Sequence, residues 1–272
     1  MATISDIQEL IRQGDPTTID LLRYMNASGR LYYDTNPIQK TSTRNLNLAK
    51  VADYFERYGM DFEDESEEAR GRLLINSEIL SEDGEVTVAG MLVFGLNPSR
   101  WLHQSGIRFA HVNRTHIADD LIDLRSIEGT LDYQIDTGVA LIKSNWPVAV
   151  KLNGTRMEDT TFSYADRVLR ELLVNACVHR NYALQSQIRV FLFNDRLEFR
   201  SPGRLPNSIN VEKLKVGVSH SVNPILVRFM NNLRYIERIG RGLPMVYQEA
   251  TRNGKQVEFK EVGEEFWVTL ER

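Results

Sequence analysis

The segment RELLVNACVHRNY, residues 170–182, constrains the fold more than any other part of the sequence. Residues four apart drift only slightly around a helix, so Glu171, Asn175 and His179 would form one polar stripe. The rest of the helix surface is apolar and leaves little face for water. Because a buried carboxylate or amide without a partner is unfavourable, the stripe must face either hydrogen-bonding groups of the protein or a ligand.

Composition narrows the class of protein. A chain of 272 residues allows one large domain or two ordinary ones. The net charge of -4 argues against a protein dominated by nucleic-acid backbone binding, although a local basic patch would remain compatible with it. The single cysteine, Cys177, excludes an internal disulfide framework and is expected to pack in the core. Without a membrane-spanning or signal-peptide pattern, we expect a cytoplasmic protein and no membrane partner.

The first region, residues 1–147, is predicted to be helical and mixed α/β. Short helices are expected to about Ser28, followed by the amphipathic helices LNLAKVADYFERYG and SEEARGRLLINSEIL and a turn at EDGE. The apolar runs GMLVFG and IRFAHVN are predicted to be buried strands. TLDYQIDTGVALIKSNW is predicted to be a helix closed by Pro147.

The second region, residues 148–272, is predicted to combine helices with antiparallel strands. Hairpins are expected in VAVKLNGTRMEDTTFS and in QIRVFLFNDRLEFRSPG, before and after the apolar helix. Helices are expected from Pro224 and around Pro244, and the last two strands, VEFKEVG and EEFWVTLER, are expected to pair. The whole chain is therefore predicted to be an α+β protein.

Three features of the second region could meet around one ligand. The polar stripe places a carboxylate and an amide oxygen one turn apart, which suits a hard cation such as magnesium with a bound phosphate; an internal hydrogen-bond network remains the alternative. Gly240 and Gly242 precede a helix, whose free N–H groups would favour an anion. The polar loop from about Pro206 to Val222 is long enough to fold over a ligand as a mobile lid.

Five motifs in order carry a resemblance to a known family: RELLVNACVHRNY, DRLEFRSPGRLP, GVSHSVNPIL, IERIGRGLPMV and EEFWVTLER. They resemble the ATP-binding domain of the GHKL superfamily, and more narrowly its RecG-like C-terminal ATPase branch, found in transcriptional regulators. Upstream, TVAGMLVFG followed by NP resembles the middle region of the same proteins. Many of them begin with a Schlafen-type, Alba-like domain, which is missing from this chain.

The resemblance implies a Bergerat-type two-layer α/β sandwich over residues 148–272 and a site for ATP with magnesium. Asn175 would hold the magnesium ion and Glu171 would orient or deprotonate the attacking water. His179 would lie near the phosphates. The other nucleotide-binding positions that it implies are Ser201, Gly203, Gly240 and Gly242. Ser201 stands where the wider superfamily has an aspartate that binds the adenine amino group. The narrower branch also has serine at this position.

The leading hypothesis is therefore a magnesium-dependent ATP-binding domain of a transcriptional regulator, with slow hydrolysis at most. One alternative is an interaction or dimerisation module that has lost nucleotide use. Another is a DNA-binding regulator that uses the early helices, against which the net charge counts. DNA would otherwise bind mainly through the missing domain. A second copy of the chain is the remaining candidate partner.

Overall fold

The computed structural model describes residues 32–146, 149–153, 156–160, 164–205, 211–217, 221–236 and 241–272. The short helices expected up to Ser28 lie outside these residues. The α-helices are α1 (Leu48–Glu56), α2 (Glu67–Asn76), α3 (Val88–Phe94), α4 (Pro98–Trp101), α5 (Leu131–Asn145), α6 (Asp166–His179), α7 (Val211–Lys215), α8 (Pro224–Asn232) and α9 (Gly242–Arg252). Short 3-10 turns occupy Tyr33–Thr35, Thr43–Asn45 and His103–Ser105. No helix in the described ranges is long and apolar enough to cross a membrane.

Six strands form one mixed sheet: β1 (Ile107–Val112), β2 (Leu121–Ile127), β5 (Ile188–Leu192), β6 (Arg196–Pro202), β7 (Val257–Val262) and β8 (Glu265–Glu271). Their order across the sheet is β2-β1-β5-β6-β8-β7. Only the β1–β5 pair is parallel among them. A separate hairpin joins β3 (Ala149–Asn153) to β4 (Arg156–Thr160), as predicted. The α+β class is confirmed.

The sheet contains strands from both predicted regions. β1 and β2 come from residues before 147, whereas the other four strands follow it. β1 lies beside β5 and joins the two sets through the parallel pair. The division at residue 147 stays a prediction, and the hydrogen-bonded sheet is continuous across it.

The run GMLVFG is helical, so the prediction of a strand there was wrong. It forms most of α3, all of whose residues are buried. The Thr87 side chain caps this helix by accepting a hydrogen bond from the Gly90 N–H at 2.9 Å. A short, uniformly apolar run has no periodicity that separates a buried strand from a buried helix. The cap before the run was the local signal for a helix.

Helix α6 lies in the centre of the helical layer. It packs between α5 and α9 and contacts β6 of the sheet beneath it. Its buried residues are Val168, Leu169, Leu172, Leu173, Val174, Ala176, Cys177 and Val178. Burial raises the pKa of the Cys177 thiol to about 12, as expected for a cysteine that packs rather than reacts.

Asp34 is a buried carboxyl that no sequence pattern indicated. Its Oδ2 accepts hydrogen bonds from the N–H groups of Ile225 at 2.8 Å and Leu226 at 3.0 Å, in the first turn of α8. Its Oδ1 is buried and has no hydrogen-bond partner in the described structure. Burial raises the pKa of Asp34 from 3.8 to about 6, although both N–H bonds act in the opposite direction.

Stability is expected to fall as the pH rises through the titration of Asp34. Since the folded-state pKa lies above the unfolded value, the protonated carboxyl stabilises the fold fully below the unfolded pKa of 3.8, and this contribution is lost as the pH rises through about 6. This shift in pKa corresponds to a loss of at most roughly 3 kcal/mol in the free energy of unfolding. Asp34→Asn should remove this part of the pH dependence. Urea unfolding of both proteins between about pH 4 and pH 7 measures it, and an equally steep slope in the variant would contradict the assignment.

Candidate functional site

The polar stripe on α6 is present in the structure. Glu171, Asn175 and His179 are each half-buried, whereas the helix surface between them is buried. The stripe is therefore the partly solvent-accessible side of a helix that is otherwise buried. This geometry agrees with the periodicity of the sequence.

The side chains of Asn175 and Glu171 are joined by hydrogen bonds. Asn175 Nδ2 donates to the Glu171 carbonyl oxygen at 2.8 Å and to Glu171 Oε1 at 2.5 Å. Both acceptors are oxygens with no hydrogen to donate, so the NH2 end of the amide must face Glu171. Within the described residues no hydrogen bond reaches Asn175 Oδ1. That oxygen keeps its lone pairs available for a cation.

The start of α9 lies against the Glu171 carboxylate. A Cβ at Gly242 would overlap Glu171 Oε1 and Cδ and would lie 2.9 Å from its Cγ. An ion pair of 2.9 Å between Arg167 and Glu249 also ties α6 to α9. The structure thus brings together two residues that the sequence placed in separate motifs.

Gly242 is needed for its lack of a side chain and not for an unusual backbone. Gly242 is the first residue of α9 and has no left-handed conformation. The close approach of Glu171 is sufficient to exclude any Cβ. Arg241, the N-cap residue, makes no side-chain capping bond, so its side chain leaves the first N–H groups of α9 unbound.

The end of β6 faces the same helix. Ser201 is buried, and its hydroxyl donates to the Ala176 carbonyl oxygen at 3.1 Å. Gly203 has a φ of +123°, and a Cβ there would lie 3.0 Å from the Asn181 backbone nitrogen. Only glycine tolerates this combination of backbone conformation and contact. Ser201 and Gly203 therefore anchor the strand end beside the C-terminal half of α6.

Other predicted positions are only partly placed. His179 is the last residue of α6, two turns beyond Glu171. Gly240 lies outside the described residues, so the loop before α9 is described only from Arg241. The predicted lid is described in part, and it includes the short helix α7 that the sequence analysis missed. Its mobility stays a prediction.

Two buried polar residues that hold the end of α6 were also missed. The Arg180 side chain is 1% exposed and donates to the carbonyl oxygens of Gln104, Leu184 and Ser186. Burial lowers the pKa of Arg180. Asn223 Nδ2 donates to the carbonyl oxygens of Val178 and Arg180 at 2.8 Å each.

The two Asn223 bonds satisfy carbonyl groups at the end of α6, which need partners when they are buried. The asparagine that precedes a proline in SVNPIL was the available signal for one of them.

The donor set fits a magnesium ion held through nucleotide phosphates. No group of three or more His, Cys, Asp or Glu side chains in the described part of the chain is arranged to hold a metal by itself. Magnesium commonly keeps several waters and uses few protein ligands beside substrate phosphates. One amide oxygen, from Asn175, next to a helix N-terminus is consistent with that mode.

A cavity of about 410 Å³ lies away from this site, between α1 and the turn that follows it. None of the predicted site residues lines it. Four carboxylates surround it, from Asp53, Glu56, Asp61 and Glu63, and this charge would repel a nucleotide.

Comparison with solved structures supports the fold. The chain is similar to the DIP2311 protein from Corynebacterium diphtheriae, with a TM-score of 0.64 and 18% sequence identity. The match covers 91% of this chain and 49% of that chain, so this chain spans about half the length of that protein. At this identity the likeness supports the fold alone. No curated protein matches the sequence significantly.

Comparison with family models addresses the C-terminal part. Residues 185–270 match the family described as "Putative ATP-dependent DNA helicase recG C-terminal". The matched segment contains Ser201, Gly203 and Gly242, whereas Glu171 and Asn175 precede it. The resemblance that the sequence predicted is thus confirmed: the C-terminal part of this chain matches the RecG C-terminal, ATPase-like family.

Proposed function

We propose that the chain binds a magnesium nucleotide where α6 meets the start of α9, and that nucleotide state controls the conformation of a transcriptional regulator. The observation that carries the proposal is the contact between Gly242 and the Glu171 carboxylate. It supports the proposal because the start of a helix, a carboxylate and the Asn175 amide lie next to one another there. The match of residues 185–270 to an ATPase-like family supports a nucleotide as the ligand.

Asn175 and the start of α9 would share the binding of the phosphates. Asn175 Oδ1 would ligate the magnesium ion, since both hydrogens of the amide are donated to Glu171. Magnesium, when bound, supplies positive charge that offsets the charge of the phosphate oxygens. The first N–H groups of α9 would donate to those oxygens. Arg241 is exposed and forms no ion pair among the described residues, which leaves its charge available there.

Glu171 would act on water, because it is the carboxylate of this cluster. The Asn175 amide holds its Oε1, and this bond orients the carboxylate. A carboxylate in that position can accept a proton from a water molecule next to the phosphates. Slow hydrolysis is expected, because a cation aimed at the transferring phosphate contributes a large part of the rate in efficient enzymes. Arg204 is already bound to the Gly263 carbonyl oxygen at 2.8 Å, and Arg241 would serve to bind the phosphates.

Ser201 would contribute to recognition of the base by accepting a hydrogen bond from it. Its hydroxyl hydrogen is donated to Ala176, so only its lone pairs remain for a ligand. An acceptor at this position suits the amino group of adenine better than the carbonyl oxygen of guanine. We therefore propose ATP as the preferred nucleotide.

A second candidate function is favoured by the same hydrogen bonds. Because Asn175 and Glu171 bind each other, the stripe is partly satisfied without a ligand, as it would be in an interaction module that has lost nucleotide use. DNA binding through the early helices has less support, since acidic side chains surround the cavity beside α1.

A thermal-shift experiment separates these functions. Melting of the full chain is measured with ATP, ADP and GTP, each with and without magnesium. A ligand at 100 times its Kd stabilises the native state by about 2.7 kcal/mol. The proposal requires a rise in Tm with ATP that depends on magnesium and exceeds the rise with GTP. An unchanged Tm under all six conditions would favour the interaction module.

A further inference from the structure

The two edges of the six-stranded sheet differ in chemistry. At one edge, β7 exposes Glu258, Lys260 and Glu261. Charged side chains, and lysine in particular, protect an edge strand against pairing with another chain. The composition of β7 is therefore that of an edge strand that stays in contact with water and does not pair with another chain.

The opposite edge strand, β2, is apolar and exposed. Leu121, Ile122 and Leu124 are 52%, 57% and 56% exposed. The strand contains neither lysine nor proline, and its two charged residues, Asp123 and Arg125, form an ion pair with each other at 2.8 Å. The strand thus carries no net charge that would repel a second strand.

The exposed leucine continues an apolar patch on the outer face of the sheet. Leu124 pairs with Ala110 of β1, and Ala110 packs with Val112, Phe191 and Phe193 in a small cluster separate from the main core. Asp123 lies on the opposite face, because it pairs with His111, which contacts Asn145 of α5.

We propose that β2 pairs antiparallel with β2 of a second copy of this chain, about a two-fold axis at Leu124. The two sheets would then join into one continuous sheet. Leu124 is the middle residue of the seven-residue strand Leu121–Ile127, so this register pairs the strand over its whole length.

Charge complementarity selects the same register. A continuous sheet requires paired residues to lie on the same face, so the axis must pass through a residue and not between two residues. An axis at Asp123 or at Arg125 would place identical charges opposite each other. An axis at Leu124 places Asp123 opposite Arg125 of the second copy, twice. Opposite charges directly across an antiparallel pair are favourable, and like charges are unfavourable.

The inference does not depend on nucleotide binding, because β2 contains none of the predicted site residues. Its first test is the association state of the full chain, measured by analytical ultracentrifugation over a range of concentrations. Wild type is expected to dimerise, and Leu124→Lys should weaken the dimer roughly tenfold or more, since it removes apolar contact and adds like charges at the axis. Val262→Lys, on the charged edge, is the matched control and should leave the dimer unchanged.

A charge exchange tests the register. Asp123→Arg and Arg125→Asp should each weaken the dimer, because each places like charges across the interface. The double variant should recover it. Circular dichroism verifies that each variant is folded.

Cysteine crosslinking provides a separate readout. Cys177 is the only cysteine and is buried, so crosslinking through a new cysteine can be measured without a contribution from Cys177. Leu124→Cys should form a disulfide-linked dimer on mild oxidation, since the axis brings the two copies of residue 124 together. Ser126→Cys should not, because its partner across the axis is Ile122. A monomer at all concentrations, a dimer that survives Leu124→Lys, or crosslinking at residue 126 in place of 124 would each overturn the proposal.

Discussion

Glu171→Gln is expected to reduce nucleotide hydrolysis by about 10²- to 10⁴-fold while ATP affinity stays within a few-fold of wild type. Glutamine has nearly the same shape, and its amide oxygen can still accept the bond from Asn175. It cannot take a proton from water. Asn175→Ala should instead lose magnesium-dependent ATP affinity, because it removes a ligand used in the ground state.

The two variants are measured side by side for ATP affinity with and without magnesium, single-turnover hydrolysis and melting temperature. Asn145→Ala is a matched control for the asparagine, since Asn145 Nδ2 also donates to the carbonyl oxygen four residues earlier in its helix, at 3.1 Å. The control should melt at a lower temperature without any change in nucleotide affinity.

A purely structural stripe predicts a different pattern. If the stripe only orders the core, both Glu171→Gln and Asn175→Ala should lower stability by about 1–3 kcal/mol. Neither would then separate binding from turnover. Equal destabilisation with untouched nucleotide affinity would remove the catalytic role of Glu171 and the magnesium role of Asn175 together.

Gly242→Ala is expected to weaken both the fold and nucleotide binding. The new Cβ would overlap the Glu171 carboxylate, so either Glu171 or α9 must move. Overpacking of this kind costs about 1–3 kcal/mol, and displacement of the start of α9 should weaken phosphate binding roughly tenfold or more. The larger and β-branched Gly242→Val should be worse still. Urea unfolding and nucleotide titration provide the two measurements.

The position of the glycine makes matched controls available. Gly71 lies inside α2 with open space around it, so Gly71→Ala should stabilise by about 0.5–1 kcal/mol. In the double variant Gly242→Ala with Glu171→Ala the overlapping atoms are gone, and stability should recover relative to Gly242→Ala alone. If Gly242→Ala is as stable as wild type and binds nucleotide equally well, this contact does not shape the site.

Much of the local structure could be predicted from the sequence. The spacing of Glu171, Asn175 and His179 within an apolar segment was sufficient to indicate α6 and its polar stripe, because helical geometry relates residues four apart. The strands on either side of Asn194 and Asp195 were likewise predicted by their alternation and turn residues, and they pair as β5 and β6.

The errors occurred where local patterns are ambiguous. The run GMLVFG forms the buried helix α3 because tertiary burial permits an apolar run in either state. Strand β2 was missed because apolar and charged residues are mixed along it without strict alternation, and most of them are exposed. Arg180 was missed because nothing in its neighbours shows that its side chain is buried, whereas the proline after Asn223 was an available signal.

The sequence by itself determined the fold class, the helix that carries the stripe and the family that the C-terminal part resembles. Each of these depends on short-range spacing or on ordered motifs. The tertiary structure alone decided that β1 joins β5, that β2 is an exposed edge, and that Gly242 lies against Glu171. These contacts join residues far apart in the chain, and packing selects them through shape and burial that no local pattern encodes.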